Sequence, residues 1–170
     1  MTNYMKLEIA AHSANEAFAR SAVAAFALTL SPSLSELSDI KTAVSEAVTN
    51  SIVHAYAKKQ AGNKISIECE TVENEKGVGG ELHIKITDYG CGIDDVEKAL
   101  LPFYTTLADD ERSGMGFTIM QTFMSEFSLK SKRGEGTVVT MIKRIGPQEK
   151  SLRFSHEKAA EIGVKEEMNA

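Results

Sequence analysis

Five short segments of this chain alternate apolar and polar residues, and the stretches between them change to a 3.6-residue rhythm. That switching restricts the fold more than any other feature. In "YMKLEIAA" Met5, Leu7 and Ile9 fall on one side, as do Ile65, Ile67 and Cys69, then Leu82, Ile84 and Ile86. Period-two runs of this kind are half-buried strands. The second and third, separated by "ENEKGVGG", read as an antiparallel pair, and two further strands near "FSLKSKR" and "TVVTMIKRI" are joined at "GEG".

Helical spacing fills the gaps. Ser13 and Glu16 have the separation of a capping box and predict an alanine-rich helix over about residues 14–30. "SPSLSELSD" breaks it, and a second helix is expected from Ser38 or Asp39 to about Lys58, with Ile40, Val44, Ala47, Val48, Ser51 and Ala55 as its buried stripe. A short helix follows from Asp95 to Leu100, then the polar loop "PFYTTLADDERSG", too long for a simple turn, and a helix in "MGFTIMQTFMSEF". Runs of strands and helices in this order predict an α+β two-layer sandwich, a mixed, mostly antiparallel sheet covered on one face by helices. The domain is expected to span residues 1–145, with 146–170 a polar, charge-mixed tail.

Composition narrows the function classes. A chain of 170 residues suits one domain that buries roughly 70% of its unfolded surface. Its net charge of −5 argues against binding a nucleic-acid backbone as the main task. No apolar run reaches the roughly 18 residues of a membrane span, and "MTNYMKLEIAAHS" lacks the blocks of a signal peptide, so a cytoplasmic protein with no membrane partner is expected. Cys69 and Cys91 show no CxxC spacing, which favours neither a disulfide framework nor zinc.

Four motifs bear chemistry. In "SEAVTNSIVHAY" Glu46 and Asn50 stand at i and i+4, neighbours on one side of a helix; alone they read as a solvated flank. "DYGCGI" puts Asp88 at a strand end before Gly90 and Gly92, either a turn or a place where backbone approaches a ligand and the carboxylate accepts a hydrogen bond. "RSGMGFTIM" sets Gly114 and Gly116 before a helix, where free N–H groups favour a phosphate and where a flexible connection is the plainer reading. In "GEGT" Thr137 enters a core strand, most simply after a hairpin turn.

Taken in this fixed order over residues 5–145, these motifs resemble the GHKL ATPase superfamily with its Bergerat nucleotide-binding fold. Within it, "SEAVTNSIVHAY", "DYGCGI" and "ERSGMGFTIMQTFM" are similar to the anti-sigma F family of spore-forming bacteria, which are serine kinases. The resemblance implies ATP and Mg²⁺ as cofactors. Asn50 would ligate the ion through its oxygen, and Glu46 would be the general base for a substrate serine. Asp88 would read the adenine amino group, helped by Gly90, Gly92, Ile93 and Thr137, while Gly114, Met115, Gly116 and Phe117 would wrap the phosphates beneath a lid holding Thr105, Thr106, Arg112 and Ser113. Implied partners are a sigma factor (sigma F), which is held inactive, an anti-anti-sigma factor phosphorylated on serine, and a second copy in a homodimer. Arg20 matches a partner-contacting arginine. Leu107 departs from the pattern, which usually has a lysine there, and the tail runs past the family's usual end.

The related switch kinase of a general-stress sigma factor is the nearest rival, sharing fold and chemistry. A sensor histidine kinase fits less well, because no helical segment with a phosphoacceptor histidine precedes the domain. An S-adenosylmethionine-dependent methyltransferase would want the glycine loop early and alternating strands and helices after it. A module that binds ATP without transferring phosphate is the alternative from a non-enzymatic class.

Overall fold

A computed structural model describes residues 2–56, 62–75, 79–104 and 114–146. Thr105, Thr106, Leu107, Arg112 and Ser113, together with the tail from 147 onward, lie outside the described residues. The five expected strands are β1 (Thr2–Ala10), β2 (Lys64–Glu73), β3 (Gly80–Asp88), β4 (Glu126–Lys132) and β5 (Gly136–Ile145). They form one sheet in the order β1-β2-β3-β5-β4. Each pairing is antiparallel, so the sheet is more uniform than the mixed one expected. An S-adenosylmethionine fold of alternating parallel units has no place in it.

The period-two pattern is honoured residue by residue. Ile9, Ile65, Ile67, Cys69, Leu82, Ile84, Ile86, Val139, Met141 and Ile145 are buried on the helix-covered side, each large aliphatic side chain worth about 1.5–3 kcal/mol relative to exposure. The opposite side carries cross-strand ion pairs, including Lys6–Glu68 at 3.1 Å, Lys85–Glu68 at 3.1 Å and Lys64–Glu8 at 3.0 Å. A surface of partly exposed ion pairs faces water, which leaves the helices on a single side. Buried Cys69 has its thiol pushed up to about 12 by desolvation, so it behaves as a small apolar group.

The helices are α1 (Glu16–Ala27), α2 (Leu34–His54), α3 (Val96–Ala99) and α4 (Gly116–Phe123). Central α2 packs against α1 on one side and α4 on the other, and all six residues of its expected stripe are buried. Lys143, on the inner face of β5, ties α2 and α4 to the sheet: its Nζ donates to Asp39 Oδ2 at 2.8 Å and to the Phe123 carbonyl at 2.6 Å.

Both helix starts differ from expectation. Ser13 sits in a 3₁₀ turn before α1, whose N-cap, Asn15, makes no side-chain capping bond. Local polar groups take over there: His12 Nδ1 accepts from Ala14 N and Asn15 Nδ2 donates to the Ala10 carbonyl. The capping box lies instead at Ser33 and Glu36, where Ser33 Oγ accepts from Glu36 N at 3.1 Å and Glu36 Oε2 accepts from Ser33 N at 2.7 Å. Helix α2 therefore begins at Leu34, ahead of the expected Ser38. Ser33→Ala should lower stability by about 1 kcal/mol in urea melts, as an N-cap loss does. Ser13→Ala should stay within about 0.5 kcal/mol; equal losses would contradict this assignment.

Candidate functional site

Sheet order decides where the chemistry gathers. Because β5 inserts between β3 and β4, the end of β3 meets the start of β5, and Asp88 pairs in register with Thr137 across 49 residues of chain. Asp88 is only 3% exposed. Its Oδ1 accepts from Gly90 N and from Thr137 N, both at 3.1 Å, and its Oδ2 accepts from the Ser51 hydroxyl at 3.1 Å. Burial pushes Asp88 above the usual carboxylate range, against the pull of those three hydrogen bonds. A carboxylate offers about four acceptor positions. Among the described residues only Ser51 donates to Oδ2, which leaves that oxygen capacity toward the cleft.

The glycines of "DYGCGI" are required by space. A Cβ on Gly90 would stand 2.0 Å from the Ala55 carbonyl oxygen, and Gly92, at φ +71°, would put one 2.1 Å from the Lys132 carbonyl oxygen. The loop is thus pressed against the end of α2 and the β4–β5 turn. Cys91 N donates to the Ala55 carbonyl at 2.7 Å and Gly134 N to the Cys91 carbonyl at 2.7 Å. Ser131 completes the floor: its Oγ accepts from Ile93 N at 2.8 Å, donates to the Gly136 carbonyl at 2.9 Å and lies 2.9 Å from Thr137 Oγ1.

At the other end of the cleft α2 faces the start of α4. A Cβ on Gly116 would lie 3.0 Å from Glu46 Oε2, 3.2 Å from Asn50 Nδ2 and 3.5 Å from Asn50 Oδ1. Carboxylate and amide therefore sit side by side over the first residue of a helix, where N–H groups lack intrahelical partners. Gly114, at φ +64°, accepts through its carbonyl from Phe103 N at 3.1 Å, and Phe103 backbone fills the space a Cβ would need. The two ends of the segment 105–113 are joined at this point.

Between the ends runs a cleft of about 790 Å³. Glu46, Asn50, Asp88, Gly92, Ile93, Gly114, Met115, Gly116, Phe117 and Thr137 all line it. Gly90 shapes the loop from behind, against Ala55. Arg20 is elsewhere, paired with Glu16 at 3.4 Å and lining a separate hollow of about 450 Å³ between α1 and α2. The expected lid residues fall outside the description. Sequence reasoning missed Ser51, Ser131 and Lys98 as site residues, and Ser51 left a signal: a hydroxyl in an apolar stripe needs a buried partner. Among the described residues no cluster of His, Cys, Asp and Glu could hold a metal ion by itself.

Residues 9–143 match the histidine kinase-like ATPase domain family. The anti-sigma F factor of Caldanaerobacter subterraneus subsp. tengcongensis is 50% identical over 144 residues, 85% of this chain and 95% of the relative. That of Clostridium botulinum strain Eklund 17B is 52% identical over 142 residues, 84% and 94% of the two chains. The chain belongs to the anti-sigma F factor family. The resemblance read from the motifs is borne out at that level. A solved structure of the RsbU and RsbW domains of a Mycobacterium tuberculosis protein superposes with TM-score 0.56 at 18% identity, covering 84% of this chain and 33% of that one, a likeness of fold. No described helix of this anti-sigma F family member is long and apolar enough to cross a membrane.

Proposed function

We propose that the chain is an ATP- and Mg²⁺-dependent protein-serine kinase that holds a sporulation sigma factor, sigma F, and phosphorylates the anti-anti-sigma factor opposing it, acting as a homodimer in the cytoplasm. One observation carries this reading: Glu46 and Asn50 stand together over the α4 N-terminus at one end of a cleft whose other end is the buried acceptor Asp88. The names of the relatives supply the sigma factor, and the ATPase-type domain supports the nucleotide.

The residues fit the cofactors. Gly116 leaves open the space beside Glu46 and Asn50 that a Cβ would enter. The Asn50 amide oxygen, with no metal-holding cluster among the described residues, suits Mg²⁺, which takes one or two protein ligands and finds the rest on phosphates and water. ATP would bring the phosphoryl group, and Mg²⁺ the charge that holds its phosphates in place. Asn50 would hold the ion through Oδ1. Asp88 Oδ2 would accept from the adenine amino group, with Gly92, Ile93 and Thr137 around the ring. The N–H groups at Gly114–Phe117 would meet the phosphates, with Thr105, Thr106, Arg112 and Ser113 over them. Glu46 would take the proton of the substrate serine as its oxygen turns nucleophile. Arg20, away from the cleft, would contact the partner proteins.

Incubating the protein with γ-labelled ATP and the anti-anti-sigma factor should put label on a serine of that partner. Label transferred to none of the tested proteins, with ATP nevertheless bound, would leave a nucleotide-binding module in place of a kinase. A cheaper check uses Cys91, an exposed thiol in the cleft lining. Saturating Mg-ATP should slow its alkylation by iodoacetamide several-fold, while buried Cys69 reacts only on unfolding. Unchanged Cys91 reactivity would put the nucleotide elsewhere.

A further inference from the structure

The charges lining the cleft are unequal. Glu46, Asp88, Asp94 and Asp95 contribute carboxyl groups, whereas among the described lining residues Lys98 is the one lysine or arginine. A polyphosphate entering such a cleft adds several negative charges to a surface already acidic. The α4 N-terminus and a divalent ion offset part of that repulsion, and a fixed ammonium would offset more.

Lys98 is held where such a group is useful. Its N–H donates to Asp95 Oδ1 at 2.9 Å, which fixes the first turn of α3 beside the cleft. Its Nζ lies 5.1 Å from the centroid of the Tyr104 ring, itself part of the lining. A ring face at that distance restrains an ammonium without neutralising it. Of the other described lysines, Lys6, Lys64, Lys85, Lys132 and Lys143 each pair with a carboxylate, and Lys41 and Lys130 do not line the cleft. Among the described residues Lys98 enters no ion pair, and its charge remains for a ligand.

We propose that Lys98 is a phosphate-binding residue of this cleft, its ammonium contacting the polyphosphate of the bound nucleoside triphosphate. The inference rests on the reading of the cleft as an ATP site. A flexible four-carbon stem ending in a compact charge suits a phosphate that arrives with its ion, and charge-assisted hydrogen bonds of this kind are the stronger ones.

The test titrates the full chain with Mg-ATP and, by competition against a fluorescent ATP analogue, with adenosine, for wild type, Lys98→Gln and Lys98→Arg. Lys98→Gln should weaken ATP about tenfold (about 1.4 kcal/mol) and leave adenosine unchanged, and Lys98→Arg should restore most of the loss. Unaltered ATP affinity in Lys98→Gln would overturn the proposal. Parallel weakening of ATP and adenosine would overturn it too, assigning Lys98 to packing on Tyr104. If the wild type itself bound no ATP, the cleft reading would fall first, in an arm that involves no substitution.

Discussion

Glu46→Gln should reduce phosphoryl transfer to the anti-anti-sigma serine by about 10²–10⁴-fold, the range expected for loss of a general base, while ATP affinity stays within about threefold of wild type. The amide keeps the shape of the carboxylate beside Gly116 and Asn50 but cannot take a proton at neutral pH. Single-turnover transfer and equilibrium titration separate the two quantities. Loss of binding and transfer in equal measure would make Glu46 a nucleotide ligand. Preserved transfer would remove it from the chemistry.

The second large effect is expected at the other end of the cleft. Asp88→Asn should cut ATP affinity by about two orders of magnitude, because it can turn the acceptor that faces the base into a donor. Leaving a buried polar group with the wrong partner costs about 1–3 kcal/mol. The fold should survive, since the amide oxygen can still accept from Gly90 N and Thr137 N and Ser51 can rotate to accept. Titration calorimetry with matched thermal melts checks both halves.

The acid side of the profile follows from the same residue. Burial raises Asp88 above its ordinary value. ATP binding through the carboxylate should therefore weaken as pH falls through that raised value, at a higher pH than an ordinary aspartate would give. For folding the sign is opposite. A carboxyl whose folded pKa is raised adds most to stability when protonated, and that contribution is lost as pH rises from the unfolded value through the folded one. An Asp88→Asn protein should lack the Asp88 step in both profiles.

Strands were legible because a side-chain period of two survives any tertiary context that buries one face, and Ile65, Ile67 and Cys69 needed no partner to be read. The start of α2 was misplaced because Ser33-x-x-Glu36 and Ser13-x-x-Glu16 carry the same spacing. Which one closes depends on the local polar groups: His12 and Asn15 take over at the first, whereas at the second the Ser33 and Glu36 side chains each accept from the other's backbone N–H. Glu46 and Asn50 were visible as neighbours, but their seat over Gly116 depends on how α4 returns to α2, which spacing cannot express. Likewise the Asp88–Thr137 contact follows from β5 entering between β3 and β4. Ser51 was read only as a member of the apolar stripe, although its hydroxyl reaches Asp88.

The most direct measurement is a crystal structure of the protein with Mn²⁺ in place of Mg²⁺ and a non-hydrolysable ATP analogue, its metal located by anomalous scattering. The expected arrangement has the metal beside Asn50 Oδ1, the terminal phosphate next to Glu46, and the adenine amino group on Asp88 Oδ2. Metal and phosphates bound away from the α2–α4 junction, or an adenine out of reach of Asp88, would contradict it.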